Sequence, residues 1–163
     1  MGDTALIGAA NTVHAGTVEL LLNQGADPNL KNTSSETALQ WATLNAFDQE
    51  PIAATVKALV RKGADVNASD KYGASPLLCA ALWGHEKIVS LLLSLGANIN
   101  ATTKEGETVL MQSATDGTVS ITKLLLDRKA DFARKNAEGK TALDLAEASG
   151  NSKIVALLKA AGA

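Results

Sequence analysis

One cysteine, Cys79, and two histidines, His14 and His85, are the residues of this chain whose types could do nucleophilic or metal chemistry. A catalytic cysteine needs a nearby base or a helix N-terminus to lower its pKa, together with a pocket and an oxyanion site. Cys79 is expected in mid-helix, in a column otherwise held by Gly8, Trp41, Gln112 and Leu145. A small semi-buried hydrophobe fits there. Two histidines and one cysteine so distributed do not supply the three or four ligands of a zinc site. The chain also lacks a phosphate-binding G-x-x-x-x-G-K-[ST], a G-x-G-x-x-G after a strand and a G-x-S-x-G elbow. No enzyme, metal or cofactor is expected.

Bulk properties narrow the class. The 163 residues are 46% hydrophobic but only 3% aromatic, so the apolar content is mostly Ala, Leu and Val and favours helices over sheets. A formal charge of −2 is no footprint for nucleic acid or an anionic membrane. A lone cysteine cannot form an internal disulfide, and a reducing cytoplasm is the expected location. The opening MGDTALIGAA lacks the basic and apolar regions of a signal peptide and places Leu6 where a myristoylation motif needs Ser or Thr. A soluble intracellular monomer is expected.

What positions these residues is a repeat. Thr4, Thr37, Ser75, Thr108 and Thr141 are spaced by 33, 38, 33 and 33 residues, and Gly25, Gly63, Gly96, Lys129 and Gly162 by 38, 33, 33 and 33. The period is therefore 33, with five extra residues around Leu44 to Pro51. Each column has a cause. Thr or Ser is an N-cap for a short helix, and Pro76 suits a first helical position. Leu6, Leu39, Leu77, Leu110 and Leu143 follow two residues later, with the small Ala9, Ala42, Ala80, Ser113 and Ala146 one turn beyond, which suits close helix packing. Gly84, Gly117 and Gly150 break the chain before a second, Leu-rich helix, which ends at the second column because glycine tolerates the left-handed conformation. Lys129 lacks that tolerance, so strain or fraying is expected there.

The stretch GASPLLCAALWGHEKIVSLLLSLGANIN, Gly73 to Asn100, matches most fully a family pattern echoed by ETALQWA, GADVNA, GETVLMQSA and GKTALDLAEASGNSKIVALLKAAGA. The chain resembles the ankyrin repeat family along essentially its whole length. The resemblance implies an all-α fold of helix-turn-helix units joined by β-turn or hairpin loops, stacked as a curved solenoid with a concave groove. One domain of five repeats is expected, at about 1–31, 32–69, 70–102, 103–135 and 136–163, the first beginning abruptly and the last polar enough to act as a cap. His14 and His85 occupy the family's Gly-His position, a structural one. The histidine of the family's T-P-L-H is absent, replaced by Ile7, Gln40, Leu78, Met111 and Asp144, so its hydrogen bond must be supplied otherwise or lost.

The groove is where the resemblance places function, as non-enzymatic binding of a partner protein. Repeat register presents Lys71, Tyr72, Leu82 and Trp83 there, followed by Lys104, Glu105, Glu107 and Asp116. Tyr72, Leu82 and Trp83 occupy positions with no framework role, and aromatic residues are enriched among interface anchors. The mixed charges favour a protein over a phosphate backbone. In the insertion, Asp48 is an expected N-cap and Phe47 either packs on its own repeat or protrudes as a recognition element beside Trp83; the alternative for Trp83 is that it covers the insertion. Two other functions stay open: a self-associating assembly module, and an enzyme engineered onto the scaffold around Cys79 or Ser113.

Overall fold

The structure, a computed structural model, describes residues 4–44 and 49–163. Phe47 and Asp48 lie outside the described residues. Among the described residues there are ten helices and no strand: α1 (Ala5–Asn11), α2 (Ala15–Asn23), α3 (Ala38–Thr43), α4 (Gln49–Arg61), α5 (Pro76–Leu82), α6 (Glu86–Ser94), α7 (Val109–Thr115), α8 (Val119–Asp127), α9 (Ala142–Ala148) and α10 (Ser152–Ala161). The all-α architecture of paired short helices is the one the sequence implies. The chain forms two compact units, Met1–Ala97 and Asn98–Ala163.

Every first helix starts where the Thr/Ser column predicts. The hydroxyls of Thr4, Thr37, Ser75, Thr108 and Thr141 each accept the N–H three residues on, at 3.1–3.4 Å. Such a cap contributes about 1 kcal/mol to a helix too short to be stable alone. In the first unit α1 packs on α3 and α3 on α5, while α2 packs on α4 and α4 on α6. In the second, α7 packs on α9 and α8 on α10. The contact surfaces are the predicted columns: Leu39, Leu77 and Leu110 are buried, as are Ala42, Ala80, Ser113 and Ala146. The insertion is absorbed partly by α4, which has 13 residues against nine in α2 and α6.

Two further columns hold the connections. Between helix pairs the chain turns back on itself around Asn32, Asp70, Thr103 and Asn136. The side-chain oxygen of each accepts the N–H groups two and four residues on: Ser34 and Glu36, Tyr72 and Ala74, Glu105 and Glu107, Glu138 and Lys140. Neighbouring turns are then joined backbone to backbone, Lys71 N–H to the Ser34 carbonyl at 3.2 Å in one unit and Ala137 N–H to the Glu105 carbonyl at 2.8 Å in the other. After the second helices, an asparagine ties each loop to the next. Asn29 donates to the Gly63 carbonyl at 2.8 Å and accepts the Asp65 N–H at 2.8 Å. Asn67 donates to the Gly96 carbonyl at 3.2 Å, and Asn100 accepts the Asp131 N–H at 2.9 Å. The next position in this column is Ala133, which has no such group.

Lys129 takes the left-handed conformation with φ 63°. Its N–H bonds the Leu126 carbonyl at 3.0 Å and that of Ala130 the Leu125 carbonyl at 2.9 Å, the same closure that Gly25 and Ala26 make on α2. The expected strain is present, without fraying. The other non-glycine residues at positive φ, Val13 (47°) and Ser35 (64°), stand in the columns of Gly84 and Gly73.

Candidate partner-binding surface

The residues with chemical potential come first. Cys79 is buried in α5, and its thiol pKa is pushed up to about 12, chiefly by burial and further by the carboxylates of Asp70 and Glu36. A thiol so placed is almost wholly protonated at neutral pH and is a packing group rather than a nucleophile. Ser113 is buried with its hydroxyl donating to the Leu110 carbonyl at 3.0 Å and accepting from Thr122 Oγ1 at 3.0 Å. His85 is buried at the start of α6. His14 is exposed at the start of α2, with Nδ1 2.7 Å from Thr12 Oγ1. Among the described residues no group of three His, Cys, Asp or Glu side chains could hold a metal ion. None of their helices is long and apolar enough to cross a membrane.

The sequence-predicted site residues of the first unit stand on the surface. The buried face of α5 is made by Pro76 to Ala81. Leu82 ends that helix and Trp83 caps it, so neither reaches the core; they are 56% and 48% exposed. Tyr72, at the tip of the preceding turn, is 60% exposed. Its N–H is held by Asp70 Oδ1 at 2.8 Å, and the Lys71 ammonium lies 5.0 Å from the centre of its ring, a cation–π contact. The side chains are thus large, apolar and presented by a backbone that is itself pinned.

Trp41, read from the sequence only as a column partner of Cys79, is a further partly exposed aromatic residue of this unit. It is half-buried, its indole N–H donating to Glu36 Oε2 at 3.2 Å, an oxygen that also accepts the Asn32 amide at 2.8 Å. The available signal was its size: no other residue in its column is aromatic.

In the second unit Lys104 and Glu105 are exposed at a turn tip. Glu107 is half-buried, its Oε1 accepting the Asn136 amide at 2.6 Å. Asp116 caps α7, its Oδ2 accepting the Gln112 amide at 2.7 Å. These last two carboxylates are already engaged within the unit, which leaves Lys104 and Glu105 as the more available pair.

Comparison with known proteins agrees with this architecture. Over 94 residues the chain is 36% identical to a transient receptor potential cation channel subfamily A member 1 homolog of Caenorhabditis elegans, a match covering 58% of this chain and 7% of that protein. It is 33% identical over 92 residues to ankyrin repeat, SAM and basic leucine zipper domain-containing protein 1 of Ornithorhynchus anatinus, covering 56% of this chain and 19% of that one. Against ankyrin repeat and KH domain-containing protein mask-1 of Caenorhabditis elegans the identity is 35% over 92 residues, with 56% and 3% covered. The chain thus spans less than a fifth of the length of these relatives. A family model described as ankyrin repeats (3 copies) matches residues 6–103 and again 96–163. With capped helix pairs throughout and these two matches spanning nearly its whole length, the chain belongs to the ankyrin repeat family.

Proposed function

We propose that the chain is a non-enzymatic module that binds a partner protein through its turn tips and the ends of its first helices, with Tyr72, Leu82 and Trp83 as anchors. Ankyrin repeats generally mediate protein–protein interaction, which supports the class of function. One observation carries the assignment to these residues. Three large apolar side chains are exposed within twelve positions of the chain, where register puts Ser34, Glu105 and Glu138 in place of Tyr72 and puts Thr115, Asp116, Ala148 and Ser149 in place of Leu82 and Trp83. Packing does not account for them, whereas exposed aromatic side chains ringed by polar groups are typical interface anchors.

Lys71 is the charged neighbour of the anchors in the first unit; the second unit, taken by itself, offers Lys104 and Glu105 as exposed charges of both signs, with Glu107 and Asp116 as further candidates. The near-zero net charge favours a protein over nucleic acid or a lipid surface. With one cysteine, buried and free, the chain has no internal disulfide, which is in keeping with a reducing, cytoplasmic setting. The self-association reading draws on Leu20, 59% exposed on α2; a sedimentation coefficient that rises with concentration would favour it.

Trp83→Ala tests the proposal. An anchor should cost about 2 kcal/mol or more of affinity for the protein captured by the wild-type chain, with under ~1 kcal/mol lost in stability. A loss of about 3–5 kcal/mol in stability with unchanged affinity of the folded fraction would make Trp83 a packing residue instead.

A further inference from the structure

A second surface lies in the unit Asn98–Ala163, away from the turn tips. An open groove of about 740 Å³ runs between the last turns of α8 and α10 and the loop after α8. A smaller one, of about 320 Å³, shares Phe132 and Ala133 with it. Its origin is legible in the repeat columns. Here the asparagine that ties successive loops is replaced by Ala133, and α10 carries Ala160 and Ala161 where register puts Asp127 and Arg128 at the end of α8. The junction of the last two helix pairs is fastened elsewhere, by Asn136 to Glu107 at 2.6 Å and by Asn151 to the Ala114 carbonyl at 2.7 Å. The helix pairs are therefore held in place while the loop side between them stays open.

The lining has a consistent chemistry. Half-buried Leu126, Phe132 and Leu157 give an apolar floor. Lys123, Lys129 and Lys135 line the two openings, and among the described residues none of them forms an ion pair. Of the nearby carboxylates, Asp131 already faces the Arg134 guanidinium at 3.5 Å and accepts the Ala133 N–H at 3.1 Å, Asp127 lines the groove, and Asp144 feels the charge of Lys135 while accepting from Thr141. Lys129 further holds a left-handed backbone that glycine would occupy without strain. The lysine therefore stands on the edge of an apolar groove at a backbone position for which folding alone favours glycine.

We propose that this groove binds an acidic partner segment that inserts a leucine- or phenylalanine-sized side chain between α8 and α10 while its carboxylates meet Lys123, Lys129 and Lys135. The complement of an apolar floor under unpaired ammonium groups is an apolar side chain flanked by carboxylates. This site is independent of Tyr72, Leu82 and Trp83, so either surface can fail without the other.

The test is a titration of the isotope-labelled full chain with a peptide of about twelve residues alternating glutamate and leucine, followed by amide chemical shifts. Shifts are expected at Phe132, Ala133, Ala160 and Ala161. A peptide with glutamine for glutamate should bind roughly tenfold more weakly, and Ala161→Glu, on an exposed helical position, should weaken binding by a similar factor. Lys129→Gly separates function from folding: it should raise the unfolding midpoint while weakening the peptide by about threefold. The proposal is overturned if the peptide leaves these amides unmoved at millimolar concentration, if the glutamine form binds equally, or if Lys129→Gly leaves affinity unchanged. Shifts at the same amides that grow with protein concentration alone would identify a second copy of the chain as the occupant and overturn it too.

Discussion

Gln40 reaches across from one helix pair to the next: its Nε2 donates to the Ala74 carbonyl at 2.7 Å while its Oε1 accepts the Thr37 N–H at 2.9 Å. One amide thus fills both roles of a bridging side chain at the position where the family pattern has histidine. Met111 and Asp144, at the equivalent positions, accept from their own N-cap instead: Met111 Sδ from the Thr108 N–H at 3.5 Å, and Asp144 Oδ2 from the Thr141 N–H and hydroxyl, each at 2.8 Å. Ile7 and Leu78 have no polar side-chain atom to offer.

Gln40→Leu should therefore cost about 1–3 kcal/mol, because the buried Thr37 N–H loses its acceptor and the Ala74 carbonyl loses one of its two donors, keeping the Asp70 N–H at 3.1 Å. Gln40→His, which keeps a donor and an acceptor on one side chain, should cost far less. Urea denaturation of the two variants beside the parent decides it; equal losses would mean that the bridge contributes little and only volume matters.

Lys129→Gly and Val13→Gly should each stabilise the chain by about 1 kcal/mol, since both residues hold positive φ at glycine columns. Val13 should gain more for its β-branched side chain, although glycine's larger unfolded-state entropy offsets part of either gain. Lowered midpoints in chemical denaturation would show that side-chain contacts of Lys129 and Val13 outweigh the backbone strain.

Thr55→Val should raise stability, by about 1 kcal/mol. Thr55 is fully buried in α4, in the column of Ile88, Ile121 and Ile154, and its hydroxyl has no hydrogen-bond partner among the described residues. An unpaired buried hydroxyl costs free energy that a methyl group of similar size does not. A destabilised variant in thermal melts would indicate that the hydroxyl is satisfied in solution.

Cys79 makes stability depend on alkaline pH. Its folded-state pKa, about 12, is raised above the ordinary 9.0 by burial first and nearby carboxylates second. The folded state therefore keeps the proton that the unfolded chain loses, and this contribution is complete below pH 9 and declines as pH rises towards 12. Cys79→Ala should flatten that decline at a cost of about 1–2 kcal/mol near neutral pH. Labelling with a disulfide reagent at pH 8 should be slow in the native chain and fast in urea; rapid native labelling would contradict the burial.

The helices and their caps were legible because each column repeats one physical demand with nearly one residue type. Thr or Ser must accept a free N–H, Leu must fill the space between pairs, and glycine must take a left-handed φ. The turn column was not legible, because Asn32, Asp70, Thr103 and Asn136 share only a side-chain oxygen placed to accept two N–H groups. Exposure at the candidate surface was legible where it follows from position, as for Leu82 and Trp83 after the buried face of α5. It was obscured where a partner lies far along the chain. Glu107 looks like a solvated charge until Asn136, 29 residues on, is seen to hold it at 2.6 Å.

The missing asparagine at Ala133 has a consequence for motion. In a repeat array each unit is held chiefly by its neighbour, so the tightness of one junction sets how readily the chain opens there. Helix α10 is anchored at its start, where the Asn151 side chain donates to the Ala114 and Thr115 carbonyls at 2.7 and 3.2 Å; at its end only the exposed Lys159–Glu147 ion pair, at 2.8 Å, reaches α9, and the asparagine rung is lacking. Opening should then proceed like a door on a single hinge. Amide exchange along α10 should be slowest just after Asn151 and quicken towards Gly162, while α8, whose following loop Asn100 ties through Asp131, should show no such gradient.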